Sequence, residues 1–316
     1  MFGWILCLNY YLAWMLGIYT FVHSTCFIVR MVIRNYIRKS LDLPERYGKG
    51  SWAVVTGATG GIGEEYCVQL AKLGFNVVLM GRSKEKLEES EKKVKEANQN
   101  VKTKIVVGDL GTDLSAKYYQ GLYDQIKDLD ISILVNNAGW TEPGMFELQP
   151  MRENLANYRV MCASPAMLTR FMINKLLDRK ERSAIINVSS IAQIGPIPYI
   201  GVYSAAKRFL TLFSYHLYDN YKHKIDVQDL QPGFVHTKIC EYKVSPDTIS
   251  TELCVQTSFR DLGQELSCFN VVVHSIPAQV FHLMYRFMKP VFKIMVVNEG
   301  EKEYLRDFLK KNKKDQ

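Results

Sequence analysis

Short apolar runs alternate with longer amphipathic runs between residues 50 and 230. Apolar runs of four to six residues predict buried β-strands, and the amphipathic runs predict surface helices. The predicted strands are 52–55, 76–80, 104–107, 131–135, 184–188 and 225–230, and the clearest predicted helices are 64–73, 84–97, 151–177 and 201–221. Because strands and helices alternate, we predict an α/β fold with a doubly wound parallel sheet that is covered on both faces.

The first 29 residues carry no charged side chain and are rich in aromatic and aliphatic residues. About 20 apolar residues are enough to span a bilayer, so we predict a transmembrane anchor at residues 1–29. Arg30, Arg34, Arg38 and Lys39 follow, and the positive-inside rule then places the next domain in the cytosol. A cleaved signal peptide is the alternative, but the run lacks a basic start and a small-residue cleavage site.

The remaining boundaries follow from composition. We predict a basic linker at 30–49, in which Pro44 to Gly50 leads into the next domain. A catalytic domain follows at 50–275, with its last strand at 271–273. An apolar helix with a basic tail is predicted at 276–316. Residues 238–298 are expected to cover the substrate. The run 276–297 is either a core helix or a membrane-associated extension lying in the bilayer interface, and the sequence leaves this open.

Charge and cysteine usage exclude several functions. The net charge is +8 with a pI near 9.0, which favours anionic partners such as phosphorylated cofactors or acidic membranes. The basic residues are dispersed and form no nucleic-acid-binding module, so we predict no nucleic-acid partner. Seven scattered cysteines show no metal-binding spacing, so we predict free thiols and no metal site.

A glycine-rich stretch, Thr56 to Gly63 (TGATGGIG), lies between the first predicted strand and a helix. Glycines in this context let the chain turn sharply and let backbone N–H groups approach a pyrophosphate at the positive end of the helix. Other polar motifs follow the later strands, at Arg82, Asp109, Asn136 to Gly139, Ser190 and Pro232-Gly233. Because ligands bind outside the carboxyl ends of parallel strands, these motifs predict one common site.

Tyr203 and Lys207 lie four residues apart on a predicted helix, and therefore on one face of it. A phenol ordinarily titrates near pH 10, and a neighbouring ammonium lowers its pKa. Tyr203 can then donate or accept a proton near neutral pH. Ser190 precedes Tyr203 by thirteen residues and ends a strand on the predicted ligand side. Together the three side chains predict acid–base chemistry on a bound carbonyl.

These motifs together resemble the short-chain dehydrogenase/reductase family, over about residues 50 to 275. The resemblance rests on TGATGGIG, NNAG, the spacing of Ser190, Tyr203 and Lys207, and PGFVHT at 232–237. The anchor, GRSKEKLEE, YSAAKRFLTLFS, VQDLQPGFVHTKI and the segment around Phe259 to Gly263 are similar to the very-long-chain 3-oxoacyl-CoA reductase / type 12 17β-hydroxysteroid dehydrogenase branch. The resemblance implies a Rossmann-type fold and a nicotinamide cofactor.

The resemblance also implies roles for individual residues. Tyr203 would pass a proton to the substrate carbonyl oxygen, Ser190 would orient that oxygen, and Lys207 would bind the nicotinamide ribose and lower the pKa of Tyr203. The implied cofactor-binding residues are Gly57, Thr59, Gly61, Ile62, Gly63, Arg82, Asp109, Asn136, Ala138, Tyr203, Lys207, Pro232, Gly233, Val235 and Thr237. Among them Asp109 would face the adenine, and Asn136 and Ala138 would line the ribose side.

The residue after the second strand distinguishes the two nicotinamide cofactors. An acidic residue there binds the ribose 2′-hydroxyl of NAD, whereas this chain has Arg82. A guanidinium binds a 2′-phosphate through charge-assisted hydrogen bonds. Arg82 as an ordinary surface cation is the alternative. We predict NADPH.

One position departs from the family pattern. The family has an Asn on the helix before the Ser-bearing strand, which helps a water-mediated proton relay to the Lys, and the corresponding position here is close to Met161. A thioether cannot replace an amide in such a relay. The sequence leaves three outcomes open: Asn157 or a water compensates, activity is reduced, or catalysis has been lost.

The resemblance predicts an enzyme, an NADP-dependent oxidoreductase that reduces long or very-long-chain 3-oxoacyl-CoA in fatty-acid elongation. A dehydrogenase for a 17-ketosteroid or another lipid ketone is the first alternative, and a non-catalytic membrane scaffold of the same fold is the second. Lys313 and Lys314 resemble a di-lysine retrieval signal, which predicts the endoplasmic reticulum membrane, although a solvated tail is the alternative. Other elongation enzymes and a second copy of the chain are the expected protein partners.

Overall fold

The computed structural model describes residues 2–141, 143–195, 197, 199–238 and 248–269. The chain divides into two compact units, Met1–Lys39 and Ser40–Gln316. The first unit is the helix α1 (Phe2–Val32), continued by a π-helical turn at Ile33–Ile37. Within it, Tyr10–Ile37 is long and apolar enough to cross a membrane, and its aromatic and aliphatic side chains are mostly exposed. A helix that is apolar all round has no polar face to turn to water, which agrees with the predicted anchor.

The second unit is built on a sheet of seven parallel strands in the order β3-β2-β1-β4-β5-β6-β7. Strand order reverses between β1 and β4, which places a ligand crevice at their carboxyl ends. The strands are β1 (Trp52–Thr56), β2 (Asn76–Gly81), β3 (Thr103–Val107), β4 (Ile131–Asn136), β5 (Ser183–Val188), β6 (Ile225–Leu230) and β7 (Ser267–Cys268).

Helices cover both faces of this sheet. They are α2 (Leu43–Tyr47), α3 (Gly61–Lys72), α4 (Lys84–Ala97), α5 (Ala116–Asp124), α6 (Met151–Tyr158), α7 (Ser164–Asp178), α8 (Gly201–Tyr221) and α9 (Thr251–Asp261), with a π-helical turn at Arg159–Ala163 between α6 and α7. Short 3-10 turns lie at Phe146–Leu148 and Ile191–Ile194.

Two hydrophobic clusters lie on opposite faces of the sheet, because successive strand residues point to opposite sides. Val55 belongs to the cluster with α3, α4 and α9, whereas its neighbour Val54 belongs to the cluster with α5, α7 and α8. Every residue of β4, β5 and β6 is buried. The near-continuous apolar runs in the sequence therefore mark strands that are covered on both sides.

The six predicted strands are confirmed with ends that agree within one residue, and α4 and α8 have the predicted bounds. The segment predicted as a linker contains the helix α2 instead. Its Tyr47 is fully buried, and the Tyr47 hydroxyl donates a 2.8 Å hydrogen bond to Asp226 on β6. Residues 40–49 of this segment belong to the folded domain, whereas residues 30–39 belong to the first unit. The bond to Asp226 gives the buried Tyr47 hydroxyl the partner that it needs.

The C-terminal part of the described chain differs from the sequence prediction. The helix α9 packs on α3, where the Phe259 and Tyr66 rings are 5.5 Å apart, so this part of 238–298 belongs to the core. That 238–298 covers the substrate stays a prediction. The short strand β7 was not predicted. The predicted strand 271–273, the run 276–297, the di-lysine tail and Cys240 lie outside the described residues.

Candidate functional site

The turn between β1 and α3 has a shape that only glycine allows. Gly57 has φ +68°, in the left-handed region. A side chain on Gly63 would place its Cβ 2.3 Å from the carbonyl oxygen of Gly57, which is closer than any real contact. No side chain therefore covers the backbone at Gly57 and Gly63. The N-terminus of α3, a twelve-residue helix, is accessible to an anion.

The segment after β4 holds this turn in place. The Asn137 side-chain amide donates to the backbone oxygen of Thr56 at 3.0 Å, and the backbone N–H groups of Asn137 and Ala138 donate to the Thr56 hydroxyl at 3.0 and 3.1 Å. The sequence analysis did not assign Thr56 or Asn137 to the site. Each of the two is a polar residue at the end of a predicted strand. That pattern could have identified them, because β1 and β4 are neighbours in the sheet.

Asn136 does not contribute its side chain to this groove. The Asn136 amide is buried and donates a 2.9 Å hydrogen bond to Asn187 on β5. The Asn136 side chain therefore does not line the ribose side, and the prediction of a ribose contact is left to its main chain. Its side chain belongs to the core because β4 is covered on both faces.

Two predicted cofactor residues follow β2 and β3 at the same edge of the sheet. The Arg82 guanidinium lies 5.9 Å from the ring centre of Trp140, across the glycine turn. Trp140 was not predicted, and this cation–π contact orients Arg82. Asp109 accepts a 2.9 Å hydrogen bond from the backbone N–H of Gly111, so one of its carboxylate oxygens shapes its own loop.

Tyr203 and Lys207 lie on α8 as predicted, one helical turn apart. The Lys207 ammonium is 5.4 Å from the centre of the Tyr203 ring and donates a 2.7 Å hydrogen bond to the backbone oxygen of Val188. Lys207 is buried. Burial lowers the pKa of Lys207 from 10.5 to about 8, although the Asp229 carboxylate acts to raise this pKa.

Ser190 lies at the end of β5, opposite this helix. Its hydroxyl accepts a 3.1 Å hydrogen bond from the backbone N–H of Ala192 and contacts the Pro232 oxygen at 3.4 Å. The hydroxyl thereby starts the 3-10 turn Ile191–Ile194. The bond to Pro232 is long, so a carbonyl oxygen in the cavity can compete for the hydroxyl proton.

The predicted catalytic side chains line a single cavity. Its walls are Ile62, Asn137, Gly139, Val188, Ser189, Ser190, Tyr203, Lys207, Pro232, Gly233, Val235 and Thr237. The ends of three strands, β4, β5 and β6, contribute to these walls together with the helices α3 and α8. A second cavity of about 330 Å³ lies between α2, α3 and α9 and is bordered by none of the predicted site residues.

Met161 occupies the position that the sequence analysis assigned to it. It lies in the π-helical turn, is fully buried, and reaches the wall of the cavity. A Cβ on Gly139 would be 3.2 Å from the Met161 sulfur and 3.5 Å from the Lys207 nitrogen. Thus the Met161 thioether and the Lys207 ammonium both approach Gly139. Asn157 is buried one turn earlier, and its side-chain oxygen has no hydrogen-bond partner among the described residues.

The site fits a dinucleotide. The glycine turn leaves a bare backbone cradle for a pyrophosphate at the start of α3. The Lys207 ammonium has three N–H groups, and one of them binds Val188, which leaves donors for ribose hydroxyls. When bound, a nicotinamide cofactor supplies hydride for carbonyl reduction.

The family model for short chain dehydrogenases matches residues 51–247. Among curated proteins, the chain is 35% identical over 279 residues to a very-long-chain 3-oxoacyl-CoA reductase of Mus musculus, covering 84% of each chain. It is 36% identical over 225 residues to a hydroxysteroid dehydrogenase-like protein 1 of Gallus gallus, covering 70% of this chain and 66% of the relative.

Solved structures show the same fold. A 7β-hydroxysteroid dehydrogenase matches with a TM-score of 0.68 and 24% identity, covering 76% of this chain and 94% of its own. A short-chain dehydrogenase from Sphingobium yanoikuyae in complex with NADPH matches with a TM-score of 0.63 and 20% identity, covering 76% and 95%. The chain belongs to the short-chain dehydrogenase/reductase family of nicotinamide-dependent oxidoreductases.

Proposed function

We propose that the protein uses NADPH to reduce long or very-long-chain 3-oxoacyl-CoA to 3-hydroxyacyl-CoA. The observation that carries the proposal is the convergence of Ser190, Tyr203 and Lys207 on one cavity at the end of the glycine turn. The substrate class is supported by the curated relatives that are named very-long-chain 3-oxoacyl-CoA reductase, at 31–35% identity.

In this proposal the three side chains divide the acid–base work. Tyr203 donates its phenolic proton to the carbonyl oxygen of the substrate as that oxygen gains negative charge. Ser190 donates a hydrogen bond to the same oxygen and fixes the orientation of the ketone. Lys207 binds the ribose hydroxyls, and its positive charge lowers the pKa of Tyr203.

The proposed cofactor preference rests on the end of β2. A 2′-phosphate would be bound by Arg82, which the Trp140 ring positions at 5.9 Å. The residue directly after this strand is thus basic, where an acidic residue would repel the phosphate. The pyrophosphate would lie on the glycine turn and the start of α3. Pro232, Gly233, Val235 and Thr237 would cover the nicotinamide, and they already form one wall of the cavity.

We propose the endoplasmic reticulum membrane as the location, with the catalytic domain (residues 50–275) in the cytosol. The apolar helix over Tyr10–Ile37 supports an anchor, and the basic residues that cluster around its C-terminal end, Arg30, Arg34, Arg38 and Lys39, support this orientation. An anchor brings the domain to a substrate whose acyl tail partitions into lipid. Other elongation enzymes of that membrane are the proposed partners.

A homodimer is part of the proposal. Apolar side chains of α6 and α8 are exposed on these two adjoining helices; they are Met151, Leu155, Tyr158, Phe209, Leu212 and Tyr215. An exposed apolar surface of this kind is typical of an interface. A second copy of the chain would bury it.

Two alternatives have specific support. A steroid or another lipid ketone is supported by the relative named hydroxysteroid dehydrogenase-like protein 1, and it would use the same side chains. A non-catalytic scaffold is supported by Met161, which places a thioether beside Lys207. The intact Ser190, Tyr203 and Lys207 count against this second alternative.

One assay separates the three functions. The detergent-solubilised full-length protein is offered NADPH with a long-chain 3-oxoacyl-CoA or with a 17-ketosteroid, and NADPH consumption is followed. We expect strong preference for the acyl-CoA. Preference for the steroid would replace the proposed substrate. NADPH binding without turnover of either compound would support the scaffold.

A further inference from the structure

Asp229 is a buried carboxylate beside the predicted catalytic side chains. It lies on β6 with no exposed surface. Its two oxygens accept 2.5 Å hydrogen bonds, one from the Ser189 hydroxyl and one from the Gln231 side-chain amide. Burying a carboxylate this completely costs folding free energy unless the carboxylate is paired or hydrogen-bonded. The groups around Asp229 therefore determine whether its charge is stable.

Asp229 and Lys207 are bound to two consecutive residues at the end of β5. Lys207 donates to the backbone oxygen of Val188, and Asp229 accepts from the side chain of the next residue, Ser189. The carboxylate on β6 and the ammonium on α8 therefore both meet the end of β5, near enough for the Asp229 carboxylate to raise the pKa of Lys207. Burial raises the pKa of Asp229 to about 6 and lowers that of Lys207 to about 8, so both groups are charged near pH 7.

Two other side chains near Lys207, those of Cys162 and Met161, carry no negative charge at neutral pH. Burial raises the pKa of the Cys162 thiol to about 11, Met161 contributes a thioether from the π-helical turn, and Tyr203 presents its ring from the same helix. Val188 and Gly139 contribute backbone only. Among the described residues, the carboxylate of Asp229 is thus the negative charge that acts on Lys207.

We propose that Asp229 is a positioning residue that keeps Lys207 protonated in the working pH range of the enzyme. This inference rests on the proposed function, because it concerns the charge of Lys207, which binds the cofactor ribose in that function. With a thioether at position 161, the charge state of Lys207 depends on this carboxylate.

A chain of side-chain hydrogen bonds fixes the carboxylate in place. From the surface inward, Arg208 donates to Gln193 at 2.6 Å, Gln193 donates to Gln231 at 3.0 Å, and Gln231 donates to Asp229 at 2.5 Å. Each amide is oriented by the donor before it. A network of this kind holds a buried charge in one geometry.

The test is the pH dependence of cofactor binding by the full-length protein, which requires no substrate. The dissociation constants of NADPH and NADH are measured by nicotinamide fluorescence from about pH 6 to about pH 9.5. Charge-assisted hydrogen bonds to the ribose are stronger than neutral ones, so wild-type affinity should fall as pH rises through the pKa of Lys207, about 8. In Asp229→Asn this fall should occur about one pH unit lower, because removing a nearby negative charge lowers the pKa of an ammonium.

Asp226→Asn is the matched control. Asp226 is a buried carboxylate on the same strand, but it binds Arg46 and Arg182 at the opposite end of β6. This variant should lose stability and keep the wild-type pH profile. Asp229→Ser serves as a second variant if the Asn variant fails to fold.

An unchanged pH profile in a folded Asp229 variant would overturn the proposal, and so would an equal shift in the Asp226 control. These outcomes are independent of the substrate assay. If the protein binds only NADH, the proposed NADPH preference is contradicted. The effect of Asp229 can then still be measured from the pH dependence of NADH binding. A protein that binds either cofactor but reduces no acyl-CoA would contradict the proposed substrate only.

Discussion

The Nζ atom of Lys207 lies 5.4 Å from the centre of the Tyr203 ring, one turn away on α8. The same nitrogen donates to the backbone oxygen of Val188, at the end of β5. This contact ties the helix that carries the phenol to the strand that leads into Ser190. The relative position of the Tyr203 phenol and the Ser190 hydroxyl is therefore set by the sheet and the helix α8.

Tyr203→Phe should abolish ketone reduction and leave cofactor affinity nearly unchanged. The substitution removes one hydroxyl and keeps the ring beside Lys207, and general-acid catalysis contributes about 10²–10⁴-fold to rate. Turnover and NADPH affinity are measured on the same preparation. Wild-type turnover in this variant would refute the assigned mechanism.

Arg82→Ala should lower the preference for NADPH over NADH. A charge-assisted hydrogen bond is worth about 1.5–3 kcal/mol, which corresponds to about a 10- to 150-fold change in the ratio of kcat/KM for the two cofactors. Lys86→Ala is the control, because Lys86 is an exposed cation in the first turn of α4. If both variants lower the ratio equally, the preference comes from general positive charge and not from Arg82.

Met161→Asn should destabilise the protein without raising turnover. Met161 is fully buried in the cluster beneath α7 and α8, and an amide without a partner there costs about 1–3 kcal/mol. Thermal unfolding and steady-state turnover are compared with wild type. A large rise in turnover would mean that the natural proton relay is impaired by the thioether.

Gly63→Ala should abolish cofactor binding. The new Cβ would meet the Gly57 oxygen at 2.3 Å, so the turn cannot close in its present form. Gly121→Ala is the matched control, because nothing lies within 4 Å of that Cβ and the position is helical. Gly121→Ala should keep full binding and gain stability by about 0.5–1 kcal/mol. Cofactor binding by Gly63→Ala would show that the turn is not the pyrophosphate site.

Leu212→Asp should convert the proposed dimer to a monomer. Leu212 is 56% exposed on α8, and a carboxylate buried in an apolar interface is strongly unfavourable. Light scattering coupled to size-exclusion chromatography gives the oligomeric state. Leu253→Asp, on the exposed side of α9, should leave that state unchanged. A wild-type monomer would remove this part of the proposal.

The amino-acid sequence by itself determined the strand and helix pattern, the glycine turn, and the pairing of Tyr203 with Lys207. These features depend on residues that are neighbours along the chain. A strand covered on both faces needs a continuous apolar run, and side chains four apart on a helix share one face. The observed bounds of α4 and α8 therefore agree with the predicted ones, and those of β4 agree within one residue.

Tertiary structure decided the contacts between distant segments. Tyr47 and Asp226 are 179 residues apart, and no local pattern indicates that α2 packs against β6. Likewise the side chains of Asn136 and Asn137 point to different places, one into the core and one onto the glycine turn. The bonds from Lys207 to Val188 and from Ser189 to Asp229 belong to the same class, because they exist only where β5, β6 and α8 meet. A side chain's partner is set by which elements pack together, and that packing depends on the whole chain.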